Sequence, residues 1–305
     1  MTALETVMLP DGRDTAAPAT TARLAALARY EVRRYLRYPL FALGLALTAL
    51  FCTLYLRTTA ADPVGLPSAI TVFLGVFGIA IGFRLTCATQ AADEVLDVTP
   101  ASPQLRTGAL CLTALLGFAA GVLALVAILI FQRPAGAWTY GGFGPSDQFA
   151  VLAGQVAICA LGGPLLGIAV ARWVRSIWAL PALVVLVGAW AVLVNGVGAT
   201  YPRPLAAALV RMLSPFTIFL SLDKQPRQVE TWRGSPWFFL GWQLCLCALA
   251  VTVALLRDAG PRWRRPLQLA LAVVGLVAVT MYLLAATGGL DQPVATRPDG
   301  TVIPL

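Results

Sequence analysis

The 305-residue chain is 59% hydrophobic and only 12% charged, with a mean hydropathy of +0.79, outside the range of soluble globular domains. Its 22 Lys+Arg against 14 Asp+Glu leave a net charge of +8, but the arginines flank apolar runs rather than interleave with aromatics, so no nucleic-acid partner is implied. The absence of histidine excludes His metal ligands, His general bases and Ser-His-Asp triads.

The apolar residues fall in runs long enough to cross about 30 Å of hydrocarbon, roughly 20 helical residues each. The expected fold class is therefore all-α, a polytopic membrane protein. Cys52, Cys87, Cys111, Cys159, Cys245 and Cys247 lie in or beside these runs without a CxxC pair and read as small buried hydrophobes. A polar start and no small-residue cleavage site after the first run predict no cleavable signal peptide.

Taken in order, residues 1–20 are polar and rich in Ala, Thr and Pro, a flexible cytoplasmic tail. Residues 21–38 are amphipathic. Leu24, Leu27, Ala28, Val32, Tyr35 and Leu36 share one arc, and Arg23, Arg29, Arg33, Arg34 and Arg37 fill the other. This predicts an interfacial helix with its arginines among lipid phosphates. Glu31 falls in the apolar arc, where it either snorkels to pair with Arg34 or reaches a polar group at the head of the bundle. Pro39 opens the first span, as proline tolerates the first helical turn.

Spans are expected at about 39–56, 66–87, 107–131, 149–171, 177–198, 236–256 and 266–286. Residues 205–222 are apolar, but Arg211 sits near their middle and Ser214-Pro215 interrupts them. A re-entrant or interfacial helical hairpin is expected there instead of a span. With the N-terminus inside, 14 of the 22 basic residues fall on inner segments, so the positive-inside rule favours N-terminus in and C-terminus out. Residues 259–287 are then a basic cytoplasmic loop and seventh span, and 288–305 an extracytoplasmic tail.

The same topology puts an acidic island, Gln90 to Pro103, in the cytoplasm. Asp93, Glu94 and Asp97 crowd within five residues on a short helix broken at Thr99-Pro100. It makes a compact handle for another protein, or a plain solvated loop.

The order of these pieces resembles the ABC-2-type permeases, the membrane subunits of type V ABC exporters. Four stretches carry the resemblance, which covers about residues 21–258. The segment Ala28-Arg29-Tyr30-Glu31-Val32-Arg33-Arg34-Tyr35-Leu36-Arg37-Tyr38-Pro39 is similar to that family's elbow helix. Asp93-Glu94-Val95-Leu96-Asp97-Val98-Thr99-Pro100-Ala101-Ser102 is similar to its coupling helix, and Leu213-Ser214-Pro215-Phe216 and Leu255-Leu256-Arg257-Asp258 to its outer-loop and last-span signatures. The chain departs from the pattern in Ala109 after Gly108, in a seventh span and in the polar tail Gly288 to Leu305.

The resemblance implies a six-span domain over 39–258, with a coupling loop at 89–106 and an outer loop at 199–235. It also implies a second permease copy or homologous permease; the Ala-, Arg- and Gly-rich usage without histidine points to a bacterial plasma membrane. No GxxxxGK[ST] loop occurs, so ATP and Mg would be held by a separate ABC-type ATPase. On its coupling helix, Asp93, Glu94 and Asp97 would supply charge and Val95 and Leu96 the anchor, with Thr99, Pro100 and Ser102 completing the motif. Arg29, Glu31, Arg33, Arg34 and Arg37 would form the elbow.

Polar residues within the spans are few. Gln155, Asn195 and Gln243 are either hydrogen-bond glue or, with Phe73 and Phe77, part of a substrate path; Phe83 is read in the same way. Gly75, Gly78 and Gly82 permit close helix packing, within the chain or at a dimer seam. No carboxylate lies mid-span to serve a proton-coupled secondary transporter, and no nucleophile–base pair suggests an enzyme. The expected function is efflux of an amphipathic or hydrophobic substrate (drug, antibiotic, peptide or lipid). A secondary transporter, a membrane scaffold and an immunity protein are the alternatives.

Overall fold

Prolines set the starts of the helices. In the computed structural model, six helices begin at Pro39, Pro103, Pro145, Pro204, Pro236 and Pro261, where the missing N–H is not needed and the fixed φ suits the first turn. The structure describes residues 16–57, 65–91, 102–132, 143–174, 176, 178–200, 204–216, 219–223, 228–290, 294–296 and 302–304.

The elements are α1 (Ala16–Leu36) and α2 (Pro39–Arg57), α3 (Gly65–Ala91), α4 (Pro103–Gln132) and α5 (Pro145–Trp173). Then come α6 (Ala179–Thr200), α7 (Pro204–Arg211), β1 (Leu220–Asp223) and β2 (Gln228–Thr231). The chain closes with α8 (Pro236–Arg257), α9 (Pro261–Thr287), β3 (Val294–Thr296) and β4 (Val302–Pro304). Five helices, α3, α4, α5, α8 and α9, are long and apolar enough to cross a membrane. The pair α1 and α2, bent by 61° between them, would make a sixth. This is a multi-pass helical membrane protein.

At the centre stands α5, with 72% of its apolar window buried, against 17% for the peripheral α9. Glycine makes the central position possible. A Cβ on Gly163 or Gly167 of α5 would lie 2.1 Å from the carbonyl oxygen of Gly75 or Ile79 on α3, and one on Gly82 of α3 would lie 2.3 Å from that of Pro164. On α4, Gly117 and Gly121 let the backbone approach α5 in the same way, with Ala160 O at 2.5 Å and Val156 O at 2.8 Å from the added carbon. Gly75, Gly78 and Gly82 thus serve an intramolecular seam between α3 and α5 rather than a contact between protomers.

The apolar arc of α1 packs on protein as well as facing outward. Tyr35 is 1% exposed, edge-on to Phe41 at 5.0 Å, in a cluster with Ile81, Leu85, Leu110 and Ile168. Leu36, assigned to the same arc, is instead exposed.

At the far end a four-stranded antiparallel sheet, in the order β1-β2-β3-β4, joins the segment before α8 to the C-terminal strands, an addition to the all-helical expectation. Val229 of β2 pairs with Thr296 of β3, so these two stretches occupy the same end of the molecule, and α8 and α9 form an out-and-back pair. Two glycines make the junction. Gly234 (φ 130) and Gly289 (φ 79) hold conformations that disfavour side chains, and a Cβ on Gly289 would meet Gly234 O at 2.2 Å.

Within residues 205–222 the described residues form α7, at eight residues too short to cross a membrane, a turn to Phe216, and the start of β1, where a re-entrant or interfacial helical hairpin was expected. Tyr282 of α9 fastens α7 by donating its hydroxyl to Leu209 O at 2.6 Å. Arg211 is buried with its guanidinium 4.0 Å over the Trp232 ring.

Candidate functional site

The turn after α7 reaches into the bundle. Pro215 O accepts hydrogen bonds from Gln243 Nε2 (2.7 Å) and Cys159 Sγ (3.6 Å). Gln243 lies about two turns into α8, roughly 10 Å from its start, so the turn sits well below the sheet. Beside it opens a lateral groove of about 530 Å³ between α5, α6 and α8. Gly162, Trp173, Trp190, Phe216, Gln243 and Cys247 contribute to its walls. The far wall is α6, which offers few side chains to the core: Val192 is 75% and Leu186 65% exposed. Trp190 ties α6 to the turn, its Nε1 donating to Leu213 O at 3.4 Å.

Behind the groove, α3 and α5 each contain a π-helical stretch, Thr71–Val76 and Ala153–Ile158. Such stretches displace backbone carbonyls and recur at functional sites. Here the two meet: the Thr71 hydroxyl donates to Gln155 O and, at 3.0 Å, to Pro67 O. The groove is apolar, with the Gln243 amide as its distinctive polar feature. Gln243 Oε1 is buried without a hydrogen-bond donor and lies over Gly154, where a Cβ would come within 2.6 Å of it. A site of this composition suits an apolar molecule arriving from the lipid side.

At the opposite end of α8 the bundle is closed by buried ions. Arg172, 4% exposed, places Nη1 3.5 Å from Asp258 Oδ2, and the Thr107 hydroxyl donates to the same oxygen. Arg34 Nη1 donates to both oxygens of Glu31, at 3.0 and 2.9 Å, and to Thr89 Oγ1 at 3.4 Å. Burial pushes the Glu31 carboxyl above its ordinary range, opposed by Arg34 and, more weakly, by Arg172. Glu31 thus both pairs with Arg34 and sits at the head of the bundle. Arg172 is a buried, paired charge at the end of a span and not the free loop charge that counting basic residues makes it.

The candidate substrate-path residues separate. Gln243 lines the groove, whereas Gln155 is buried behind it. Phe73 packs on Phe51 (5.0 Å) and Phe77 (6.3 Å) at the contact between α2 and α3; neither Phe73 nor Phe77 is among the groove-lining residues. Asn195 lies on α6, with its side chain outside the described residues. Asp93, Glu94, Val95, Leu96, Asp97, Thr99 and Pro100 all lie outside the described residues. Ser102 caps α4, accepting hydrogen bonds from the Leu105 and Arg106 N–H groups at its carbonyl (3.0 and 3.2 Å) and from Leu105 at its hydroxyl (3.4 Å). Arg29, Arg33 and Arg37 are exposed on or just beyond α1.

Sequence reasoning did not find Trp173, Trp190 or Cys159 as groove residues. The available signal was a tryptophan near the end of one span and another in the next. Compared with known protein families the chain matches none, and no curated protein is similar to it in sequence.

Proposed function

We propose that this chain is the transmembrane permease subunit of an ABC exporter of the ABC-2 type, working as a dimer with a separate ATPase. Its cargo would be an apolar or amphipathic molecule entering from the bilayer. The observation that carries this reading is the lateral groove beneath the Leu213–Phe216 turn, apolar throughout except at Gln243. In this reading the chain spans a bacterial plasma membrane seven times, with its N-terminus in the cytoplasm. The ionic end of the bundle then faces the ATPase, and the acidic loop 92–101 is the lever through which ATPase closure becomes movement of rigid helices.

The test is copurification from native membranes of the tagged wild type and of a Glu94→Arg, Asp97→Arg double variant. An ABC-type ATPase is expected with the wild type and should be lost with the variant, because reversing two charges at a complementary contact costs several kcal/mol. If no ATPase accompanies either protein, the exporter reading fails.

A second expectation concerns the groove itself. Val170 lines it and is half-buried, so Val170→Trp should fill space with little disturbance of the core. The copurified complex should remain intact, while transport of an apolar dye from inverted vesicles falls about tenfold, the effect of roughly 1.4 kcal/mol of lost binding. Unchanged dye transport would remove the groove from the pathway.

A further inference from the structure

The corner between α1 and α2 borders a second cavity, of about 600 Å³ and open to the outside, against α3. Its lining brings together arginines distant in sequence: Arg34 and Arg37 from the corner, and Arg84 from α3, with Tyr38 between the two elements. Its remaining wall is short and uncharged, made of Leu85, Cys87 and Ala88.

The charges do not cancel. Glu31 accounts for Arg34, whose Nη1 donates to Glu31 and Thr89 while its guanidinium lies 5.8 Å from the centre of the Tyr30 ring. The group is held in place. Arg37 and Arg84 are exposed, and among the described residues neither has a carboxylate within ion-pair distance. Two guanidiniums without a carboxylate partner among the described residues therefore border one cavity, beside a third fixed in position and a phenol. Arginine forks match the geometry of phosphate oxygens.

The location selects the kind of phosphate. Arg84 lies about two turns before the end of α3, roughly 10 Å in, and α2 descends from the corner as an apolar helix. The cavity therefore stands at headgroup depth, with an apolar wall continuing toward the acyl region, as basic pockets between transmembrane helices do when they hold anionic headgroups. We propose that this cavity binds the phosphate of an anionic phospholipid, held by Arg37 and Arg84 with Arg34 and Tyr38 at its edge. The site rests on the membrane reading alone and is independent of the transport proposal.

The experiment is native mass spectrometry of the full chain, with melting curves in nanodiscs of phosphatidylglycerol or of phosphatidylcholine. The wild type is expected to retain phosphatidylglycerol and to melt higher in it. Arg37→Gln with Arg84→Gln should weaken retention by roughly tenfold per arginine and remove the lipid-dependent rise, with the melt in phosphatidylcholine unchanged. Arg29→Gln with Arg33→Gln removes the same charge from exposed positions outside the cavity and should keep both. Equal loss in the two double variants would show general attraction to the surface and overturn the site. Equal retention by the cavity variant and the wild type would overturn it as well. Inorganic phosphate at millimolar concentration should not displace the lipid; complete displacement would assign the cavity to free phosphate and overturn the lipid assignment.

Discussion

Leucine at Gly167 is expected to prevent the bundle from closing, leaving little or no monodisperse protein after extraction in mild detergent. The first added carbon would stand 2.1 Å from Ile79 O and 2.9 Å from Phe83 N. Both are backbone atoms of a hydrogen-bonded helix, so neither can rotate aside as a flexible side chain would. Relief requires α3 and α5 to separate along a seam where Gly163 and Gly82 are equally tight. Overpacking of this kind costs about 1–3 kcal/mol in soluble cores and occasionally more, and a seam built on backbone contact lies at the severe end. Gly188→Leu on α6 is the matched control, because nothing lies within 4 Å of its added carbon and leucine favours helix over glycine by up to about 1 kcal/mol. The comparison is read by fluorescence-detected size exclusion before and after heating. If Gly167→Leu behaves like Gly188→Leu, the glycine seam does not hold the two helices together.

That seam illustrates what can be read from one chain. The spacing of Gly75, Gly78 and Gly82 identifies a face of α3 suited to close packing, but no local pattern names the partner, which lies in α5 more than 80 residues on. The helices themselves are legible because hydrophobic runs of sufficient length have few alternatives in a bilayer, and the arc of α1 follows from its periodicity. Tyr35 is in the core and Leu36 is exposed, so the arc is narrower than the sequence suggests.

Other features leave no local mark. A π-helical stretch adds one residue to a turn, a displacement that a hydrophobic pattern of period 3.6 does not register over six residues. Strands of three or four residues are too short for alternation to stand out. Their pairing across two intervening helices is a long-range event, decided by where α8 and α9 deliver their ends. The groove leaves a weak mark, in Gln243, the Pro215-Phe216 turn and two tryptophans, since most of its walls use the same residues as any lipid-facing helix. The resemblance of the acidic loop to a coupling helix remains a matter of sequence, because Asp93, Glu94 and Asp97 lie outside the described residues.

Arg172 shows the same limit from the side of charge. Its position at the end of a span makes it look like a topological marker, yet its partner Asp258 is 3.5 Å away in space although α6, α7 and α8 separate the two in sequence. Replacing it by methionine should therefore do far more than shift a charge count. The substitution keeps the apolar stem but leaves the Asp258 carboxylate without its cation, and it takes from Glu31 one of the charges that hold its carboxyl down. Breaking a buried pair from one side costs on the order of 3–5 kcal/mol. Arg172 already has Nε and Nη2 without acceptors, so removing both partners should cost less than removing one. Arg172→Met with Asp258→Asn is expected to be more stable than Arg172→Met alone, the non-additivity that marks direct coupling.

The pH dependence follows from Glu31. Its folded carboxyl lies above its ordinary value, and without Arg172 it rises further, so the folded single variant takes up a proton more readily than the unfolded chain. Stability then increases as pH falls toward and through that raised value. The melting deficit of Arg172→Met relative to wild type should accordingly be largest near pH 8 and shrink toward pH 5. A deficit that is the same at both values, with strictly additive single and double variants, would mean that Arg172 acts through packing alone and that the ionic closure of the bundle is not a coupled unit.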